Sequence, residues 1–172
     1  MRRARVLAGT GLALALAFCG TGAWTYAQAR GDDGLSYGRE RDAALSDGRA
    51  ALTTLTSLDA SSAERARAGV RAWRDASTGP LSEELGRTEP KTGPSAKGVV
   101  TDAALTALDT RAGTAKLIAT VRVEVTAGST GKPGADRKRL EAVLDRTGDD
   151  EWKVKALSAV PLAGAAGEDG TR

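Results

Sequence analysis

TAKLIATVRVEVTA, residues 114–127, decides the fold. Ala115, Leu117, Ala119, Val121, Val123 and Val125 alternate with Lys116, Ile118, Thr120, Arg122, Glu124 and Thr126. A period of two with apolar residues on one side is the pattern of a long strand that buries one face. The flanks read the same way. Val99 to Leu108 forms a preceding strand, joined through a hairpin loop at Asp109 to Gly113. Gly128 to Ala135 is a glycine-containing turn into a third strand, Arg137 to Arg146, with Leu140, Ala142 and Leu144 on one face. Thr147-Gly148-Asp149-Asp150 then turns the chain into a last strand, Trp152 to Val160.

Upstream of the strands the period becomes helical. From Arg39 to Leu58, Leu45, Leu52 and Leu55 fall on one side, flanked by Ala44, Ala51 and Leu58, while the charged positions face water. Ser61 and Glu64 have capping-box spacing for a second helix that runs to about Ala76, with Ala63, Ala66, Val70 and Trp73 at helical spacing. Thr78-Gly79-Pro80 ends that helix, and Ser82 to Leu85 adds one short turn. Helices followed by four strands on short turns predict an α+β domain: two to three helices packed on a curved antiparallel sheet of about four strands. Trp73 and Trp152 are the expected core markers.

Composition excludes several chemistries. The 172 residues contain no histidine and one cysteine, Cys19. Imidazole acid–base catalysis, a Ser-His-Asp triad, His metal sites and thiolate zinc clusters are therefore ruled out, as is a disulfide within the chain. No cofactor is called for. The formal charge is +3, from 25 Lys and Arg against 22 Asp and Glu. Arg2, Arg3, Arg5 and Arg30 precede every acidic residue, and removing these four from the 25 bases leaves 21 against 22 acids. The body is therefore near neutral at −1, and a phosphate-binding surface loses its electrostatic warrant.

Those arginines bracket an uncharged stretch of 24 residues, Val6 to Ala29. As a helix it would span about 36 Å, enough for a hydrocarbon core of about 30 Å. Arg2, Arg3, Arg5 and Arg30 set the topology, with the N-terminus cytoplasmic and the body outside the membrane, and Trp24 and Tyr26 fit an outer interfacial belt. A secretory signal shares this orientation, since Ala27-Gln28-Ala29 has the small-x-small form of a cleavage site. The expected organisation is a basic segment at 1–5, a transmembrane helix at 6–29, a linker at 30–38, the domain at 39–160 and a disordered tail at 161–172.

The domain resembles the Mce-associated membrane proteins of actinobacteria, which join one N-terminal anchor to a domain similar to nuclear transport factor 2 (NTF2). The matching stretches are RDAALSDGRAALTTLTSLDASSAERARAGVRAWRDASTGPLSEEL, GVVTDAALTALDTRAGTAKLIATVRVEVT and LEAVLDRTGDDEWKVKALSAV. The resemblance implies an NTF2-like cone and a non-catalytic accessory subunit of a Mce-type lipid or sterol importer, with Mce proteins as partners. Two other readings stand beside it. One is a lipid-binding module that uses the cone as a pocket. The other is an enzyme similar to steroid isomerases and polyketide cyclases, which share the fold. For the latter the candidate acids are Asp102, Glu124 and Tyr37. Asp102 shares its alternating register with Val100 and Ala104, which gives it a route into the cone.

Overall fold

The computed structural model describes residues 33–126 and 134–160. The expected basic segment, transmembrane helix and tail lie outside the described residues. The chain divides into two units, Met1–Glu40 and Arg41–Arg172. Of the first, the described part is the opening of helix α1, where Leu35 and Tyr37 are exposed. Among the described residues no helix is long and apolar enough to cross a membrane.

Helix α1 spans Asp33–Leu55, so it begins six residues before the expected start at Arg39, and positions 33–38 are helical. Gly34 and Gly38 each weaken a helix by about 1 kcal/mol, but without a proline neither breaks the ladder. The helix ends in a run of hydroxyls. Thr53, Thr54, Thr56 and Ser57 each donate to the carbonyl four residues back, at 2.9, 3.1, 2.7 and 2.7 Å. The last of these bonds satisfies the Thr53 carbonyl, since the Ser57 amide donates to Thr54 instead, while the Leu52 carbonyl also accepts from the Thr56 amide at 3.0 Å.

Helix α2 spans Ala63–Asp75, capped by Ser62, whose hydroxyl accepts from the Arg65 amide at 3.3 Å. The expected cap, Ser61, is engaged elsewhere. Its amide and hydroxyl both donate to Asp59 Oδ1, at 3.0 and 2.6 Å, which leaves the capping role to the next serine. Helix α3, Gly79–Gly86, is a full eight-residue helix instead of one turn, with Pro80 in its first positions where a missing amide costs nothing.

The strands are β1 (Ala96–Asp109), β2 (Thr114–Val125), β3 (Gly134–Arg146) and β4 (Trp152–Ala159). They form one antiparallel meander in sequence order. Leu105 pairs with Leu117 and Leu117 with Ala142, so one row of the sheet presents three apolar residues to the helices. Leu52 of α1 meets Leu117, Val121, Leu144, Trp152 and Val154 in the core, all at most 2% exposed. Each such burial contributes about 1.5–3 kcal/mol relative to exposure. These side chains fill the space where α1 lies on the sheet.

Strand β1 departs from simple alternation. A bulge between Val100 and Asp102 shifts the register, so Val100, Ala103 and Leu105 pack on the core while Asp102 and Ala104 are exposed. The extra residue reverses the facing of the positions beyond it. Asp102 is not directed into the cone, and this corrects the route the alternating pattern offered it.

Candidate functional site

An open groove of about 820 Å³ lies outside the cone, between the end of α1, one side of α2 and the start of β1. Its construction begins at Gly98, where β1 crosses the chain just past the end of α1. A methyl group there would overlap the Thr56 hydroxyl and lie 2.6 Å from Thr56 Cβ, so only glycine allows this approach. The Gly98 amide donates to Ser57 Oγ at 2.9 Å, and Leu58 and Ala96 exchange two backbone bonds of 2.8 Å. The chain after α1 is in this way sewn to the first residues of the sheet.

Asp59 closes one end. Its Oδ1 accepts from the Ser61 hydroxyl and amide and from Ser95 Oγ at 3.3 Å, while Oδ2 accepts from Arg65 Nη1 at 3.1 Å. The Ser61 hydroxyl, then the Ser61 amide, and then Arg65 and Ser95 favour the carboxylate and pull Asp59 down to about 2. Asp59 is therefore an ionised organiser of loops. A proton donor it is not.

The wall and floor are apolar. Ala68, Gly69 and Ala72 of α2 form a low wall, and Leu58 and Ala96 lie beneath it. Trp73 stands beside them, half-buried, its Nε1–H shared between the carbonyls of Thr54 and Ser57 at 2.9 and 2.8 Å. Expected as a core residue, Trp73 is instead a fixed aromatic side of the groove and is absent from the buried cluster. Trp152 is in that cluster at 2% exposure, with its backbone amide donating to Asp47 Oδ2 at 3.2 Å. Lys97 stands on the opposite rim. Its cross-strand neighbour Glu124 is paired instead with Arg122, at 3.1 Å, which leaves Lys97 without an ion pair among the described residues.

The candidate acids are not brought together. Asp102 is exposed in one row with Thr120 and Arg139, and with Arg49 these border a separate concavity of about 540 Å³. Glu124 is exposed on β2 and Tyr37 on α1. Among the described residues no group of three or more carboxylates or thiols is placed to hold a metal ion. Arg2, Arg3, Arg5 and Arg30, with Trp24, Tyr26 and Cys19, lie outside the described residues. None of Lys97, Asp59, Ser95 or Gly69 stood out in the sequence as functional. One signal was visible: a glycine in mid-helix at position 69, in a chain otherwise rich in alanine, marks a close approach.

The sequence matches no protein-family model and no curated protein. Among solved structures the fold is similar to CagV, a VirB8 homologue of T4SS from Helicobacter pylori strain 26695. That likeness has a TM-score of 0.52 at 10% identity and covers 68% of this chain and 95% of that one. An NTF2-like protein involved in plasmid conjugation is similar over 69% of this chain and 48% of its own length, with 13% identity and a TM-score of 0.48. Three helices on a four-stranded antiparallel sheet fit an NTF2-like cone.

Proposed function

We propose that this chain is a non-catalytic accessory subunit, held at the outer face of a cell membrane by its N-terminal segment. Its domain docks proteins of a transport machinery. The observation that supports docking is an open rim groove, apart from the buried core cluster, with a rigid tryptophan on one side and its one carboxylate tied up by Arg65, Ser61 and Ser95. Open grooves of this kind suit polypeptides better than small ligands, which pockets bury by 70–90% or more.

The resemblance to Mce-associated proteins favours a lipid or sterol importer as that machinery. The fold likeness to CagV supports a second reading, in which the same architecture serves a T4SS-like assembly. Purification of the tagged full chain from detergent extracts, with mass spectrometry of the proteins that accompany it, separates the two. Mce proteins and their permease are expected. Recovery of secretion-channel subunits would transfer the proposal to the second reading, and folded protein that brings down neither would overturn both. An enzyme is tested by Asp102→Ala: loss of turnover of a steroid or lipid at unchanged stability would refute the non-catalytic reading.

A further inference from the structure

Strand β3 outruns its neighbour, and the surplus is an open strand edge. On the β2 side β3 is paired along its whole length, from Gly134 against Val125 to Asp145 against Thr114. On the β4 side pairing starts only at Leu140 against Ala159, with one further bond from the Val160 amide to the Arg139 carbonyl at 2.8 Å. Residues 134–138 therefore have no strand on that side among the described residues. Since the Arg139 carbonyl points there, alternation directs the amides and carbonyls of Arg137 and Ala135 the same way, while Asp136 and Lys138 turn theirs to β2. This leaves room for an added strand of about five residues, roughly 17 Å long. No register shift interrupts β3 here, whereas the β1 edge is broken by two bulges.

The edge is also basic. Arg137, Lys138 and Arg139 are exposed and form no ion pairs among the described residues. Arg122, across from Arg137 on β2, is matched by Glu124 at 3.1 Å and supplies no counter-charge. Bases of one sign along an edge repel a second copy of the same edge and admit a strand of opposite charge.

We propose that this edge receives an extended acidic segment of a partner protein, added antiparallel to β3 and in line with β4. One carboxylate lies directly opposite Arg137, and Arg139 is its diagonal neighbour at about 7–8 Å, within reach of a long side chain. Backbone bonds to Arg137 and Ala135 supply affinity, and the bases choose the partner. The site is separate from the rim groove and rests on the docking reading only in taking its ligand to be a protein.

The test uses the full chain in phosphatidylcholine nanodiscs and fluorescein-labelled peptides in which valine alternates with glutamate or with lysine. Anisotropy titration should show the glutamate peptide binding about tenfold or more tightly than the lysine peptide. Antiparallel pairing turns the amides of the glutamates toward the edge. N-methylation of the glutamate nitrogens should therefore weaken binding about tenfold, and N-methylation of the valine nitrogens should leave it within about twofold. Arg137→Glu should weaken the glutamate peptide about tenfold through charge, and Ala135→Pro should do so by removing an edge donor that β2 does not use. Lys116→Glu, toward the other end of the sheet, should change it by less than about twofold. Equal binding of the glutamate and lysine peptides overturns the proposal, and so does equal binding of the two methylated peptides, which would show attraction by charge alone. A chain lacking residues 161–172 that binds the glutamate peptide about tenfold more tightly than the full chain would assign the edge to the chain's own end and overturn it as well. Partner recovery from extracts is read separately. If the full chain recovers no partner while the peptides behave as expected, the docking reading falls and the strand edge stands; if it recovers its machinery while the glutamate peptide fails to bind, docking stands and the strand edge falls.

Discussion

Gly98→Ala is the sharpest probe of how the groove is built. The added carbon would overlap Thr56 Oγ1 and lie 2.6 Å from Thr56 Cβ and 3.0 Å from the Thr56 carbonyl oxygen. Rotating the hydroxyl away relieves only the first contact. The other two atoms belong to the stem and backbone of Thr56, just past the end of α1, so β1 and that segment must part by about 1 Å to restore an ordinary separation of about 3.5 Å. Overpacking of this kind costs about 1–3 kcal/mol. The displacement also strains the Gly98 to Ser57 bond of 2.9 Å and the Leu58–Ala96 pair at 2.8 Å. Loss of one of these adds about 1 kcal/mol. The expected destabilisation is about 2–4 kcal/mol, which lowers the melting temperature by about 10 °C in a domain of this size. Gly93→Ala is the internal control, because a Cβ there meets nothing within 4 Å. Restricting the unfolded chain should make that variant more stable by about 0.4–1 kcal/mol. Urea unfolding monitored by tryptophan fluorescence measures both. Two glycine variants with the same small effect would refute the close-approach account of the groove floor.

Three further perturbations probe other parts of the fold. Trp152→Ala should cost about 3–5 kcal/mol through the cavity it leaves. Trp152→Phe should cost less than half as much, because the indole Nε1 is buried without a partner and its loss removes an unsatisfied donor; equal costs on urea unfolding would contradict this. Trp73→Phe should cost about 1–2 kcal/mol, since the Thr54 and Ser57 carbonyls lose their shared donor, and melting curves unchanged from wild type would show that the ring is not held this way. For Asp59 the folded value of about 2 lies below the usual 3.8, so its contribution is present above about pH 3.8 and disappears as pH falls through about 2. Melting temperatures of wild type and Asp59→Asn should therefore converge between about pH 4 and about pH 2, and a gap that stays constant over that range would refute the linkage.

The period-two run at residues 114–127 was enough to identify the sheet because β2 is a central strand, where one face must be apolar along most of its length. β1 was harder to read. At the edge of the sheet it carries two bulges, near Asp102 and near Ala107, and each resets which residues face the core. Asp102 therefore kept a misleading register in the sequence. The groove was illegible for a different reason. Its parts come from the end of α1, the middle of α2 and the first residues of β1, and nothing local in Lys97 or Ser95 announces that they meet Asp59 and Trp73 in space. Capping was nearly legible: two adjacent serines competed for one role, and Asp59, two residues before the first, decided between them.

The alanines of α1 and the sheet have a structural consequence that bears on function. Ala44 and Ala51 of α1 face Ala115, Ala119 and Ala142 of the sheet, and all five are buried to within 6% exposure. Small side chains on both partners let a helix settle close to a sheet, so that Leu52, Leu117 and Leu144 suffice to fill the space left between them. Cones that hold ligands need the reverse, a helix held off its sheet over an unfilled floor. The open groove at the rim lies apart from this packed centre. There the meeting of α1, α2 and β1 is bridged by Asp59 and Ser57 instead of being filled by apolar bulk, and an apolar surface with a fixed tryptophan stays open.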